Sequence, residues 1–243
     1  MTPYYAEGGV TIYHGDALEV LPTLERNSVD LLVTDPPWGV GFVGRAKVEV
    51  HGRIVGDENE SVAHEALAAS CRVLRPFRHA YVFGPETLIR PPLAASAQLI
   101  WDKVIVSGGD CSLPWSKNWE PITFAMNVPT ESARERGSGR LSARLRKGAV
   151  IRCQRTNGQA TKYHPTQKPV EVLRQLIESS SLLGELVLDP FMGVGSTLVA
   201  AIQEERRAIG IEVEEKYCER AAERCRAATD ARAQGVLMLG GDA

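Results

Sequence analysis

The sequence predicts a single α/β domain over residues 1–243, with a mainly parallel sheet covered by helices on both faces. Strand-like and helix-like apolar patterns alternate along the chain, as they do in sheets whose parallel strands are joined by helical crossovers. Val29–Thr34 is a short apolar run with three β-branched residues, which is typical of a buried central strand. A length of 243 residues suits one large domain that carries a small insertion.

The first half of the chain switches repeatedly between the two periodicities. Residues 9–13 alternate between apolar and polar side chains and predict a strand, whereas leucines at three-residue spacing predict a helix over 17–26. Residues 62–74 carry small apolar side chains on one face and predict an amphipathic helix. The glycine-rich residues 39–60 predict a long loop. Further strands are predicted at residues 79–83, 99–106 and 121–126, with a helical piece after Pro91-Pro92.

The second half begins with an irregular stretch rich in arginine, glycine and serine. Residues 107–162 are predicted to form an inserted region, and the part after residue 126 is expected to leave the main sheet. A helix capped by Thr166 should follow and end before Gly184. Strands are then predicted at residues 185–188 and 208–211, and helices at residues 196–205 and 217–228.

Composition argues against several classes of protein. No run of about 18 apolar residues is present, so no membrane span is expected, and the first residues lack the features of a signal peptide. The five cysteines form no C-x-x-C pair, and His64-Glu65 lacks the second histidine of a metalloprotease helix. Neither disulfides nor a metal site is therefore expected, and a reducing cytoplasm is the expected location.

Asp35-Pro36-Pro37-Trp38 directly follows the predicted central strand. Prolines end a strand because they lack the N–H that a ladder requires, and open α/β sheets bind ligands at the carboxyl ends of their strands. A carboxylate and a backbone carbonyl can accept the two hydrogens of an aromatic amine while an indole stacks on its ring. The motif therefore favours an amino-substituted aromatic ligand, and a simple turn around a buried tryptophan is the structural alternative.

A second motif, Asp189-Pro190-Phe191-Met192-Gly193-Val194-Gly195-Ser196-Thr197, lies between a predicted strand and a predicted helix. Its two glycines let the backbone approach a ligand at the helix N-terminus. Glu212 ends the next strand, where nucleotide-binding folds place an acid that binds ribose hydroxyls. Leu198 occupies the position of a third glycine. The pattern favours an adenosine-containing cofactor and gives less support to a dinucleotide.

Together these motifs resemble the amino-DNA methyltransferases of the permuted β class. That family places D-P-P-[YW] first, then a recognition region, then H-P-[TA]-x-K-P, and finally D-P-F-x-G-x-G-[ST]. Here the same order is Asp35–Trp38, a basic stretch, His164–Pro169 and Asp189–Thr197, and the resemblance runs from Gly15 to Arg226. It implies a Rossmann-like methyltransferase fold with circularly permuted motifs, and S-adenosylmethionine as the cofactor.

The resemblance also implies roles for individual residues. Asp35 and the Pro36 carbonyl would accept the exocyclic amine of a flipped base, with Pro37 in the same turn and Trp38 stacked on the ring. Glu212 would bind the ribose of the cofactor. Asp16 would bind its adenine amine, although this residue also suits a helix cap. The other residues implied to bind the cofactor are Thr166, Lys168, Asp189, Phe191, Gly193, Gly195, Ser196 and Thr197.

Residues 131–162 are strongly basic. They contain nine basic and two acidic side chains, a local net charge of +7 in a chain whose total is −2. Such a segment is expected to bind the phosphates of double-stranded DNA and to recognise the target, and a solvated loop is the alternative for a charge run alone. The expected DNA-binding residues are Arg134, Arg136, Arg140, Arg144, Arg146, Lys147, Arg152 and Arg155.

The sequence leaves the target base and the protein partners partly open. In this family an aspartate at the first motif position goes mostly with N6 of adenine and a serine with N4 of cytosine, so Asp35 favours adenine. Relatives are often dimers, and a homodimer and a companion restriction endonuclease are both open expectations. The recognition sequence is not indicated.

Other functions remain as alternatives to an adenine-N6 DNA methyltransferase. They are an N4-cytosine DNA methyltransferase, an RNA N6-adenine methyltransferase, and a nucleic-acid-binding module without turnover. Dependence on the 2′-hydroxyl separates RNA from DNA, and any measured product excludes the binding module. A nicotinamide oxidoreductase is disfavoured by the missing third glycine.

Overall fold

The computed structural model describes residues 1–37, 60–90, 92–104, 118–128, 147–154 and 167–235. The strands are β1 Tyr5–Glu7, β2 Val10–His14, β3 Val29–Thr34, β4 Leu74–Phe83, β5 Leu93–Asp102, β6 Trp119–Asn127, β7 Val150–Arg152, β8 Leu186–Asp189 and β9 Arg207–Glu212. The α-helices are α1 Ala17–Val20, α2 Glu60–Val73, α3 Val170–Ser180, α4 Ser196–Gln203 and α5 Glu215–Ala233. Short 3-10 helices span Leu21–Thr23 and Glu86–Leu88.

The nine strands form one sheet in the order β1-β2-β9-β8-β3-β4-β6-β5-β7. Strands β2, β9, β8, β3 and β4 are parallel, whereas β6 is antiparallel to both β4 and β5. From β8 the chain passes through α4 to β9 on one side, and from β3 it passes through α2 to β4 on the other. The boundary between β8 and β3 is therefore the topological switch point, where open α/β sheets bind ligands.

Each face of the sheet has its own apolar core. On one face, α3, α4 and α5 contribute buried side chains such as Leu173, Leu198 and Cys225. On the other face, α1 and α2 contribute Val20 and Leu67. Helix α4 is buried from Ser196 to Ile202, so its start is held firmly against the sheet beside the switch point. The predicted α/β class with helices on both faces is confirmed.

Several local predictions were wrong. The stretch after Pro91-Pro92 forms β5 instead of a helix, because its pairing with β6 outweighs the helix preference of an alanine-rich segment. The first helix ends at Val20, and the 3-10 turn that follows contains Pro22. Helix α3 begins at Val170 with Pro169 at its N-cap, later than the start that a cap at Thr166 would give. Strand β1, paired with β2, was not predicted.

The predicted insertion also needs a correction. Residues Val150–Arg152, expected to leave the main sheet, form edge strand β7 and pair with Ile100–Asp102 of β5. Residues 107–117, 129–146 and 155–162 of the predicted insertion lie outside the described residues, as do residues 39–59 of the loop predicted over 39–60. Among the described residues, no helix combines the length and apolar character that crossing a membrane requires.

Candidate active site

Two aspartates meet at the switch point of the sheet. Asp35 follows the last residue of β3, and Asp189 is the last residue of the neighbouring strand β8. The two strands are parallel and in register through Leu31 with Val187 and Leu32 with Leu188, so their carboxyl ends lie side by side. Pro36 is buried and Pro37 partly buried just beyond Asp35. Two sequence-distant motifs thereby form one site.

A chain of alternating charges leads away from Asp35. The Lys168 ammonium lies 2.8 Å from Asp35 Oδ2 and 3.1 Å from Glu120 Oε2. Lys103 Nζ lies 2.6 Å from the other oxygen of Glu120. The Asp35 side chain is 32% exposed, whereas Lys168 is 14% exposed and lies 5.0 Å from the centre of the Phe83 ring. Asp35 is therefore the accessible end of a largely enclosed network.

The pKa shifts in this network follow from burial and neighbouring charge. Burial raises the pKa of Asp35 above its ordinary value, although the Lys168 ammonium acts in the opposite direction. Burial alone would lower the pKa of Lys168, but the Asp35 and Glu120 carboxylates outweigh it and raise that pKa. Burial alone would raise the pKa of Glu120, but Lys168 and Lys103 outweigh it and lower that pKa. The Lys168 ammonium thus favours the ionised form of Asp35.

Asp189 holds the turn that follows β8. Its Oδ1 accepts the N–H of Phe191 at 3.1 Å, and its Oδ2 accepts the hydroxyl of Thr197 at 2.6 Å. Burial raises the pKa of Asp189 to about 7, while these hydrogen bonds lower it and the nearby charge of Asp35 raises it further. The carboxylate consequently ties the end of β8 to the first turn of α4.

The glycine turn needs glycine at two positions. Gly193 and Gly195 have φ angles of 51° and 76°, in the left-handed region that favours glycine. A Cβ on Gly195 would also lie 2.8 Å from the Cβ of Ala221 on α5. Ser196, the first residue of α4, accepts a hydrogen bond from Arg224 at 3.2 Å. The turn is thus packed closely on one side by α5.

Glu212 connects this turn to the end of β9. Its Oε2 accepts the N–H of Gly193 at 3.1 Å, and its Oε1 accepts the N–H of Glu214 at 2.9 Å. Burial raises the pKa of its carboxyl above the ordinary value. The backbone of Val213 also hydrogen-bonds this carboxylate, and the lone pairs that remain can accept a ligand hydroxyl. A partly exposed acid beside a glycine turn fits the ribose of an adenosine-containing cofactor.

Comparison with known proteins identifies the family to which the chain belongs. A family model described as "DNA methylase" (N6_N4_Mtase) matches residues 115–223. The "Putative methylase YubD" of Escherichia coli (strain K12) is 33% identical over 223 residues, which are 91% of this chain and 92% of that protein. The chain belongs to the amino-DNA methyltransferases. The family recognised from the motifs is confirmed, and with it the dependence on S-adenosylmethionine.

Two further comparisons agree. The "DNA adenine methyltransferase YhdJ" of Escherichia coli (strain K12) is 29% identical over 238 residues, covering 85% of this chain and 79% of that protein. The solved structure of the M1.HpyAVI–SAM complex superposes with a TM-score of 0.65 at 22% identity, covering 88% of this chain and 98% of that one. At this identity the structural likeness supports the fold alone.

Asp16 of this methyltransferase has a visible structural role. Its Oδ1 accepts the N–H of Leu18 at 2.8 Å and caps helix α1, as the alternative interpretation of the sequence anticipated. The residue lies near the carboxyl end of β2, and the neighbouring Gly15 N–H donates to the Glu212 carbonyl at 2.9 Å. A role of Asp16 at the cofactor adenine stays a prediction.

Two predicted DNA contacts of the methyltransferase can be located. Lys147 is ion-paired with Glu178 at 2.5 Å, and Arg152 with Asp102 at 3.5 Å, and both pairs are on the surface. Surface pairs of this kind are weak, so either cation can exchange its partner for a phosphate. Eight further residues that were predicted to act in catalysis, cofactor binding or DNA binding lie outside the described residues: Trp38, Arg134, Arg136, Arg140, Arg144, Arg146, Arg155 and Thr166.

Sequence reasoning did not find Glu120 and Lys103. Both lie at the carboxyl edge of the parallel strands, because Glu120 is the second residue of β6, which runs antiparallel, and Lys103 follows the end of β5. The available signal was weak: a charged residue next to Pro121 at the start of a predicted strand. Lys168 was predicted as a cofactor contact, and the structure places its ammonium on Asp35. In the part of the chain that the structure describes, no metal-binding cluster occurs.

Proposed function

We propose that this methyltransferase transfers the methyl group of S-adenosylmethionine to N6 of an adenine flipped out of double-stranded DNA. The observation that carries the proposal is the position of Asp35, a partly exposed carboxylate beside the Asp189 turn at the switch point. The relative YhdJ, described as a DNA adenine methyltransferase, supports adenine as the target. So does the aspartate at the first motif position, since the family pairs it mostly with adenine.

The residues of this chain contribute position and charge to the reaction. Asp35 and the Pro36 carbonyl accept the two hydrogens of the target amine, which draws its lone pair out of conjugation and directs it at the methyl group. Trp38 stacks on the extruded ring and offsets part of the cost of unstacking. S-adenosylmethionine, when bound, would supply a methyl group that its sulfonium already makes electrophilic, leaving as S-adenosylhomocysteine while the methylated amine loses one proton. No covalent protein nucleophile is required.

The cofactor is held by the motif around Asp189 and by Glu212. Glu212 accepts the ribose hydroxyls with the lone pairs that Gly193 and Glu214 leave available. The left-handed turn at Gly193 and Gly195 lets backbone approach the methionine part. Homodimer formation and a companion restriction endonuclease stay predictions.

Methylation of N4 of cytosine is the second candidate. The matched family model covers both amine types, and both amines present two hydrogens to an acceptor such as Asp35. RNA is separated from DNA by dependence on the 2′-hydroxyl.

Nucleoside mass spectrometry tests the proposal. Methylation-free genomic DNA is incubated with the protein and methyl-labelled S-adenosylmethionine, then digested, with total RNA treated in parallel. Labelled 6-methyladenine in DNA is expected. Labelled 4-methylcytosine would overturn the adenine assignment, and label in RNA alone would overturn DNA as substrate. Absence of label with cofactor still bound would contradict catalysis itself.

A further inference from the structure

Lys168 is placed where it can contact more than Asp35. Its ammonium has three N–H donors, and the described contacts to Asp35 and Glu120 use two of them. The contact to Asp35 is made at Oδ2, on the carboxylate that accepts the target amine in the proposed reaction. A ring atom bonded next to that amine-bearing carbon can therefore lie within hydrogen-bonding reach of the ammonium.

The atom next to the amine differs between bases. In adenine and in cytosine the exocyclic amine is flanked by an unprotonated ring nitrogen, N1 or N3, which accepts a hydrogen bond. In guanine and thymine the corresponding ring nitrogen carries a proton and its neighbour is a carbonyl. A carboxylate beside an ammonium is complementary to the first pattern and mismatched with the second.

We propose that Lys168 is a specificity-determining residue that donates a hydrogen bond to the ring nitrogen beside the target amine. Asp35 and Lys168 together then take the place of the lost base-pairing partner, one as acceptor and one as donor. This inference rests on the proposed function, because it concerns the same flipped base. It explains how one site suits the edge of adenine or cytosine that carries the amine and an unprotonated ring nitrogen, and rejects the edge of guanine or thymine that carries a carbonyl and a protonated ring nitrogen.

Glu120 and Lys103 are the positioning residues for this contact. Glu120 shares the Lys168 ammonium with Asp35, and Lys103 balances the charge of Glu120 at 2.6 Å. A lysine with Asp35 as its single partner would pair tightly with it and compete with the incoming amine. The Lys168 ammonium is instead shared between two carboxylates and lies over the Phe83 ring, which holds it in place. Asp35 can therefore still accept a hydrogen bond from the target amine.

The test replaces a single atom of the substrate. Once the methylated site is mapped, duplexes are made with adenine or 1-deazaadenine at the target position; the analogue keeps the amine and has C–H in place of N1. For the wild-type protein, kcat/KM is expected to fall on the order of 10- to 100-fold with the analogue, as for loss of a charged hydrogen bond. Lys168→Met should treat the two duplexes alike.

Comparison of this kcat/KM ratio between the wild type and Lys168→Met cancels the intrinsic effect of the analogue on flipping and on amine reactivity. Lys216→Met, which removes an exposed lysine paired with Glu214, is the matched control and should keep the wild-type ratio. If Lys168→Met turns over too slowly, binding of both duplexes with S-adenosylhomocysteine gives the same ratio. Equal rates for the wild type, or an unchanged ratio in Lys168→Met, would overturn the inference.

Failure of this inference can be distinguished from failure of the proposed function. Methylation of the unmodified duplex by the wild-type protein already establishes that function, whatever the analogue shows. If the wild type methylates no adenine, the proposed target has failed; should label appear on cytosine, 3-deazacytosine replaces 1-deazaadenine in the same comparison.

Discussion

Strand β3 carries two aspartates, one at each end, with opposite surroundings. Asp30, near the start, is 3% exposed, accepts a hydrogen bond from Arg75 Nη1 at 2.5 Å and another from the Leu186 N–H at 3.0 Å. Asp35, just past the end, is 32% exposed and is paired with Lys168. Both carboxylates belong to networks of four charged side chains on one sheet.

The two networks differ in the cations they use. At the amino edge, the Arg78 guanidinium binds Glu185 through two nitrogens and also approaches Asp30, a fixed planar arrangement that saturates both acids. At the carboxyl edge, two lysines contribute compact charges on flexible stems. The comparison teaches that saturated, arginine-bound carboxylates hold the sheet together, whereas a shared, lysine-bound carboxylate remains available to a substrate.

Asp30→Asn should cause the largest loss of stability. Two arginines would lose their buried partner, but Arg78 keeps Glu185 and Arg75 is about half exposed, so the free energy of unfolding should fall by about 2 kcal/mol, as for loss of charged hydrogen bonds. Urea denaturation measures it. Glu178→Gln, which breaks an exposed pair, is the control with a loss under about 0.5 kcal/mol. Equal losses in the two variants would contradict the claim that the Asp30 network stabilises the sheet.

Asp189→Asn should change how stability depends on pH. Burial raises the pKa of Asp189 to about 7 in the folded protein, so between about pH 4 and 7 the folded state binds more protons than the unfolded state. This residue therefore lowers stability as pH rises through that range. From pH 5 to pH 8, the free energy of unfolding of the variant minus that of the wild type should therefore rise by about 2–3 kcal/mol.

The difference between variant and wild type is the quantity to measure, by denaturation at each pH. Burial lowers the pKa of His79 to about 4, which makes the wild-type protein more stable as pH rises from 4 to 6.5 and partly masks the effect of Asp189. His79 is common to both proteins and cancels in the difference. A difference that is flat with pH would contradict the raised pKa of Asp189.

Glu212→Gln should weaken binding of S-adenosylmethionine by about tenfold, as for loss of one charged hydrogen bond. An amide has one acceptor oxygen, so it cannot serve Gly193, Glu214 and a ribose together. Calorimetry gives the dissociation constant. Glu214→Gln changes a neighbouring charge and should stay within about twofold of the wild type. An unchanged constant for Glu212→Gln would refute the ribose role.

Lys147→Ala should have the smallest effect on stability, under about 0.5 kcal/mol, because its pair with Glu178 is exposed. Its predicted role is a phosphate contact. The slope of the logarithm of DNA affinity against the logarithm of salt concentration should then shrink by about one. A slope equal to that of the wild type would remove Lys147 from the DNA-binding surface.

The sequence was informative where function depends on strand ends. The position of Asp35, Asp189 and Glu212 at strand ends could be predicted from motifs, because each follows an apolar run that forms a buried or half-buried strand. Their meeting at one edge follows from the parallel direction of the strands. The α/β class followed from the alternation of periodicities.

Contacts between distant segments could not be read in this way. The pairing of Lys168 with Asp35 and Glu120 depends on the direction of β6, and antiparallel insertion of that strand leaves no local signature. The alanine-rich start of β5 locally favours a helix and becomes a strand only through its partner β6. Asp16 shows a third limit, because one residue type serves both as helix cap and as ligand contact.

The most direct test of the difference between the two edges of the sheet is the rate of single-turnover methyl transfer by Asp35→Asn. Asp30→Asn is measured in parallel, at a temperature well below the unfolding temperature of either variant. Asp35→Asn should lose on the order of 10²–10³ in rate, as when a charge-stabilising group is removed, and should keep its cofactor affinity and thermal midpoint. Asp30→Asn should transfer at close to the wild-type rate while folded. Wild-type transfer by Asp35→Asn would contradict the assignment of Asp35 as the group that accepts the target amine.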